Sequence, residues 1–114
     1  MSVVLVVDDD DDTLRALGEV LSDAGWTVFI AGSAAEAREI VRSQWIDVVL
    51  ADLMMPHQDG RALHASLPAG PAGPVPFVLM TASAESAPKL DGIPVLAKPF
   101  DMRKVLAVLN ACVS

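Results

Sequence analysis

The 114-residue chain reads as one α/β domain, residues 1–114, built as a doubly wound parallel sheet of five strands with helices on both faces. Three observations predict it. Short β-branched and leucine runs occur five times, each followed by a helical or turn segment, with no internal sequence repeat. Several runs are apolar throughout, as strands buried on both faces of a parallel sheet must be. The chain is 53% apolar, and its length suffices to bury roughly 60 to 70% of its unfolded surface around one core, without room for a second domain.

Val3 to Val7 is the first run and stops at five aspartates, Asp8 to Asp12. Leu14, Leu17, Val20 and Leu21 then recur at helical spacing until Gly25, a residue suited to the position just past a helix end. Trp26 to Ala31 gives the second strand. Ser33 and Glu36 form a Ser-x-x-Glu capping box that opens a helix burying Ala37, Ile40 and Val41. Ile46 to Ala51 is the third strand and ends at Asp52. The turn-forming pair Asp59-Gly60 precedes a short helix with Leu63 and Leu67 one turn apart, and Pro68 stops it. Prolines and glycines from 68 to 76 make a loop. Phe77 to Met80 is the fourth strand, ending in Thr81-Ala82-Ser83, and Ile93 to Ala97 is the fifth, ending in Lys98-Pro99. Ser83 could cap one turn between them, but Pro88, Gly92 and Pro94 leave the fourth helix vestigial or absent. Val105, Val108, Leu109 and Cys112 mark the buried stripe of a last helix running from about Asp101. Trp26 and Trp45 are expected to cover the core at helix–strand corners, and Cys112 to be buried.

Fifteen acidic against eight basic residues give a net charge of −7, which argues against direct nucleic-acid or anionic-membrane binding through a basic patch. The single cysteine, Cys112, excludes an internal disulfide or a cysteine-based zinc site and suits a reducing, cytoplasmic setting. The start, MSVVLVVDDD, has no basic leader and only five apolar residues before the acids, too few for a signal peptide or for a span of ~20 residues, so a soluble protein is expected.

In an open doubly wound sheet, ligands bind outside the carboxyl ends of the strands. Asp8 and Asp9 end the first strand, Asp52 the third, Thr81 the fourth and Lys98 the fifth. Three carboxylates, a hydroxyl and an ammonium therefore converge on one edge. Clustered carboxylates repel, and a hard divalent cation relieves the repulsion. Mg²⁺ takes oxygen ligands and keeps several waters, so Asp8, Asp9, Asp52 and one backbone carbonyl, that of Met54, would suffice. Such a site can also accept a phosphoryl group, with Asp52 as nucleophile, Lys98 as counter-charge and Thr81 as hydroxyl donor.

VVDDD after the first strand, DVVLADLMMPHQDG around Asp52, FVLMTAS ending at Thr81 and LAKPF around Lys98 together resemble the receiver domain of two-component response regulators, in spacing and order over essentially the whole chain. The resemblance implies a flavodoxin-like, chemotaxis-regulator-like sheet of strand order 2-1-3-4-5. It also implies that Asp52 receives a phosphoryl group from the phosphohistidine of a sensor histidine kinase or histidine phosphotransfer protein, and that phosphorylation switches a surface read by an effector of unknown identity. Asp8, Asp9 and the Met54 carbonyl would hold Mg²⁺ together with Asp52, Thr81 would turn toward the phosphoryl group, Lys98 would pair with it, and Lys98-Pro99 would be cis. Met54 and Ser83 occupy positions that tune hydrolysis in the family. The chain would be no enzyme beyond its own phosphorylation and dephosphorylation, and either a stand-alone bacterial receiver or a piece of a larger regulator or hybrid kinase.

Three departures stand out. Val95 replaces the aromatic residue that many members carry three positions before the lysine, so an aromatic rotamer switch is impossible. The interval from Thr81 to Lys98 is shorter than usual by more than one helical turn. His57-Gln58 replaces small or apolar residues before the Asp-Gly turn and is expected to alter only the loop surface.

Simpler readings compete for several residues. Asp10, Asp11 and Asp12 are expected to be a solvated helix-capping segment. Asp8, Asp10, Asp12 and Glu19 imitate a calcium loop, but Thr13 stands where its tight turn needs glycine and a strand precedes it where a helix should. His57 and His64 are expected on the surface, and Met54 and Met55 in packing. A small aspartyl-phosphate phosphatase would need an acid two residues after its nucleophile, where Met54 stands. Neither GxGxxG nor GxxxxGK follows any strand, which disfavours a nucleotide site. A phosphorylation-independent interaction module would be expected to lose an acid, Thr81 or Lys98, and none is lost.

Overall fold

The structure, a computed structural model, describes residues 2–53, 60–67, 69, 73–81, 89–90, 92–97 and 101–113. Its elements are β1 (Val3–Val7), α1 (Asp11–Asp23), β2 (Thr27–Ala31), α2 (Ala34–Ser43), β3 (Val48–Asp52), α3 (Gly60–Ser66), β4 (Phe77–Thr81), β5 (Lys89–Leu90), β6 (Ile93–Ala97) and α4 (Met102–Val113). The sheet order is β2-β1-β3-β4-β6-β5. Its five long strands are all parallel, so β6 is the fifth strand of the sequence reading and the order 2-1-3-4-5 holds.

Side chains alternate across this sheet and divide the core into two layers. Val4, Val6, Val48, Leu50, Val78 and Met80 face α1 and α4, which contribute Leu14, Leu17, Leu21, Val105 and Leu109. Leu5, Val7, Val49, Ala51, Phe77 and Leu79 face the layer holding Ala37 and Val41 of α2 and Leu63 of α3. β1, β3 and β4 are thus covered on both sides, which is why their runs are continuous rather than alternating.

Local signals set the helix ends. Asp10 caps α1, its side chain accepting from Asp12 N at 3.1 Å and from Thr13 Oγ1 at 2.9 Å, as expected of this part of the aspartate run. At the other end Trp26 N donates to Leu21 O and Gly25 N to Ser22 O, both at 3.0 Å, a Schellman closure for which Gly25 takes φ +95°. Ser33 Oγ accepts from Glu36 N at 3.2 Å, whereas Glu36 Oε2 reaches one residue further back than a standard capping box, to Gly32 N at 3.0 Å.

The structure corrects several expectations. β2 starts at Thr27 rather than Trp26, because Trp26 closes the α1 turn. β3 runs Val48–Asp52 rather than from Ile46, and Leu67 lies just past α3. Trp45 does not cover the core. It is 53% exposed, its Nε1 donating to Asp47 Oδ1 at 3.0 Å, while Asp47 Oδ2 accepts from Val3 N at 2.7 Å and ties the loop to the start of β1. Val20 is 39% exposed, since Leu14, Leu17 and Leu21 already fill the inward stripe of α1. Cys112 is half-buried rather than buried. β5 was not expected. It pairs antiparallel with β6, Leu90 opposite Ile93, across the two residues Asp91-Gly92. An Asp-Gly pair is a hairpin signal, but a two-residue strand has no periodicity to mark it. The fourth-helix region, residues 82–88, lies outside the described residues.

Candidate functional site

The site lies at the carboxyl ends of β1, β3 and β4. Asp8 follows β1 directly, Asp52 is the last residue of β3 and Thr81 the last of β4. Asp52 is paired with Met80, and Thr81 with Ala97 of β6, so the central strands finish nearly level. The register fixes the residues at the pocket floor before any side-chain contact is considered.

One oxygen from each of Asp8, Asp9 and Asp52 lies within 4.8 Å of the others, and among the described residues this is the one acidic, histidine or cysteine group of three so arranged. Asp8 is fully buried, Asp52 is 8% exposed and Asp9 is exposed. Thr81 is 2% exposed. Asp8 is held at both ends: its N donates to Ala31 O at 3.1 Å, and its Oδ1 accepts from Asp10 N at 3.0 Å, a local turn that aims one carboxylate oxygen at the helix start. Three carboxylates this close repel one another, and a bound cation would relieve the repulsion. The all-oxygen donor set fits a hard cation that retains waters, so the residues present suit Mg²⁺.

Sequence reasoning missed the steric part played by Gly60. Its N donates to Leu53 O at 2.8 Å, and Leu53 N donates to Met80 O at 2.7 Å, locking the end of β3 against β4 and the start of α3. A Cβ at position 60 would lie 2.6 Å from the Asp52 carbonyl oxygen and 2.5 Å from Leu79 Cδ2. The Asp59-Gly60 dipeptide was legible as a turn signal, but the close approach that excludes a side chain depends on β3 and β4 being adjacent. Of the remaining expected site residues, Met54 and Lys98 lie outside the described residues, as do Ser83, Pro99, Met55, His57 and Gln58. Val95 is half-buried in β6 beside Leu79, so the position three before Lys98 presents a small aliphatic side chain. His64 is exposed and stands edge-on to Phe77 with ring centroids 5.0 Å apart.

Residues 4–110 match the model of the response regulator receiver domain. Among curated proteins, the chain is 29% identical over 113 residues to a probable transcriptional regulator, ycf29, of Pyropia yezoensis, covering 94% of this chain and 51% of that protein. It is 31% identical to protein PetR of Rhodobacter capsulatus, covering 95% and 47%, and 36% identical to the transcriptional regulatory protein ZraR of Escherichia coli, covering 94% and 25%. The chain thus spans about half the length, or less, of these relatives. Among solved structures it superposes on a sensor protein from a Polaromonas species with a TM-score of 0.86 at 25% identity, covering 98% of this chain and 95% of that one. It also superposes on the receiver domain of the hybrid histidine kinase CckA with a TM-score of 0.81 at 24% identity, covering 99% and 100%.

Proposed function

The chain belongs to the response regulator receiver domain family, and from that premise we propose that it is a phosphoacceptor switch whose nucleophile is Asp52. The observation that carries this reading is the convergence of Asp8, Asp9 and Asp52 within 4.8 Å beside the buried Thr81. The donor is the phosphohistidine of a sensor histidine kinase or histidine phosphotransfer protein. A carboxylate oxygen of Asp52 attacks phosphorus, the P–N bond breaks, and its electron pair stays on the donor imidazole, which takes a proton from water. Hydrolysis reverses the modification: water attacks phosphorus and Asp52 leaves as carboxylate.

A magnesium ion held by Asp8, Asp9, Asp52 and the Met54 carbonyl would neutralise charge on the phosphoryl oxygens. The residues of the chain supply the remainder. Asp8 is held by hydrogen bonds at its N and at Oδ1, so its carboxylate is positioned in advance. Thr81, at the end of the adjacent strand, donates its hydroxyl to a phosphoryl oxygen once one is in place. Lys98, which follows β6 directly, pairs with the same oxygens. The added charge then biases a protein-binding surface toward an effector. Because Val95 offers no ring, that bias runs through Thr81 and the backbone around it rather than an aromatic rotamer. A phosphohistidine donor and the free thiol of Cys112 suit the cytoplasm. No described helix is long and apolar enough to cross a membrane.

Intact mass spectrometry after incubation with a small phosphodonor and Mg²⁺ tests the assignment. One phosphoryl group is expected on the wild-type chain and none on Asp52→Asn. An unmodified wild type, or an adduct that persists in the variant, sinks it.

A further inference from the structure

The two edges of the sheet are finished differently. On one side β6 is covered by β5, a two-residue strand, which makes a short edge of the kind that resists further pairing. On the other side β2 is five residues long, Thr-Val-Phe-Ile-Ala, with no proline, no charge and no bulge, and among the described residues no strand pairs with its outer side. Ile30, at 52% exposure, is one of three exposed large apolar residues among the described residues, and the one on this edge.

The direction of the free backbone groups is fixed by the inner pairing. Thr27 N donates to Ser2 O, and Ala31 O accepts from Asp8 N, so residues 27 and 31 point their peptide groups toward β1. By alternation Val28 and Ile30 point theirs outward. An antiparallel copy of β2 centred on Phe29 sets Val28 opposite Ile30 on both sides of the two-fold axis. Those are the residues that carry the free groups, so the register forms four N–H···O bonds between the two chains. It also puts like faces together. Val28 and Ile30 share the α1 side of the sheet, where they line a groove of about 590 Å³ with Arg15, Gly18, Glu19 and Asp23. α1 runs antiparallel to β2, so Arg15 lies toward the Ile30 end and Asp23 toward the Val28 end. The two-fold axis therefore brings Arg15 of each copy toward Glu19 and Asp23 of the other, and Gly18 leaves the groove over Val28 open.

We propose that β2 is a homodimer edge, with the occupant of the Ile30 groove a second copy of this chain joined antiparallel about Phe29. The contact is isologous and closes on itself. It stands independently of phosphorylation, although the Ala31–Asp8 hydrogen bond places the edge one residue pair from the acid pocket.

Sedimentation equilibrium on the 114-residue chain over a concentration series is the first test, with the mass expected to rise toward twice 12.0 kDa. Ile30→Lys, an exposed change that circular dichroism can verify as folded, should raise the dimer dissociation constant at least tenfold. Val20→Lys, on the groove that α1 shares with Met102 instead, should leave it unchanged. The register is tested by oxidation in a Cys112→Ser background. Phe29→Cys places its two thiols across the axis at a Cα separation of ~4.5 Å, within disulfide reach, while Ile30→Cys places them a diagonal apart. Phe29→Cys should therefore crosslink faster although position 30 is the more exposed. A chain monomeric up to millimolar concentration, a dimer indifferent to Ile30→Lys, or faster crosslinking through Ile30→Cys each overturns the proposal.

Discussion

Asp9 is the one exposed member of the acid cluster, so its charge can be removed without leaving a buried polar group unpaired. Two like charges ~5 Å apart cost ~1 kcal/mol even at the dielectric of water, and more where solvent is partly excluded. Asp9→Asn should therefore raise the melting temperature of the cation-free chain by a few degrees. The same change should weaken Mg²⁺ binding about tenfold or more, read as a smaller thermal shift on adding the ion. Equal Mg²⁺ shifts in wild type and variant would remove the cation from the site. Cys112 gives a pH-dependent test elsewhere. Burial pushes its thiol above the ordinary range. The folded chain thus holds the proton more tightly than the unfolded chain, so this contribution to stability is full below the ordinary thiol value and is lost as pH rises through the folded one. Alkylation should show a higher pH midpoint for the folded chain than for the same chain in denaturant, and coincident midpoints would refute the shift. Asp8, Asp9, Asp52 and Thr81 were legible because each is the polar residue at which an apolar run stops, and the topology brings those ends together. Trp45 and Val20 were not. Side-chain type alone does not say which side of a loop or helix is inward once other residues have filled the core.

At the scale of elements, what positions Asp52 is the junction of β3 with α3, and Gly60 is its tightest point. Gly60→Ala must relieve contacts with both the Asp52 carbonyl oxygen and the Leu79 side chain, each under 3 Å from the new Cβ. Overpacking of this kind costs ~1 to ~3 kcal/mol. One of the groups displaced is the Asp52 peptide, so phosphorylation from a small donor should slow together with the loss of stability. A variant that melts lower but accepts phosphate at the wild-type rate would show that the junction is structural only. The five long strands and all four described helices followed from periodicity, turn and capping residues, whereas the strand order followed from the family resemblance. Their ends moved by one or two residues, as where the turn after α1 claims the backbone N–H of Trp26. β5 stayed hidden because two residues carry no period, and its clue was the Asp-Gly pair that follows it in the sequence.

For the molecule as a whole, the two core layers share β1, β3 and β4, so neither layer can melt while the other keeps its sheet. Leu21 belongs to the layer of α1 and α4, Leu63 to the layer of α2 and α3, and both are fully buried. Truncation of a buried leucine to alanine costs ~2 to ~5 kcal/mol, a large share of the ~5 to ~15 kcal/mol by which domains of this size are stable. Leu21→Ala and Leu63→Ala should therefore each lower the urea midpoint substantially without separating the unfolding of secondary structure from the loss of the acid cluster and of any Mg²⁺ response it gives. Circular dichroism and a Mg²⁺-dependent signal, followed through the same titration, should give superimposable curves in wild type and both variants. If Leu63→Ala released the acid pocket at lower urea than the helices on the α1 side, the layers would be separable. The strand ends would then depend on α3 alone, and the pocket's rigidity would no longer follow from the shared sheet. Coincident curves in both variants mean that the geometry at Asp52 is held by the whole fold, with each buried residue on either face contributing to it through the same central strands.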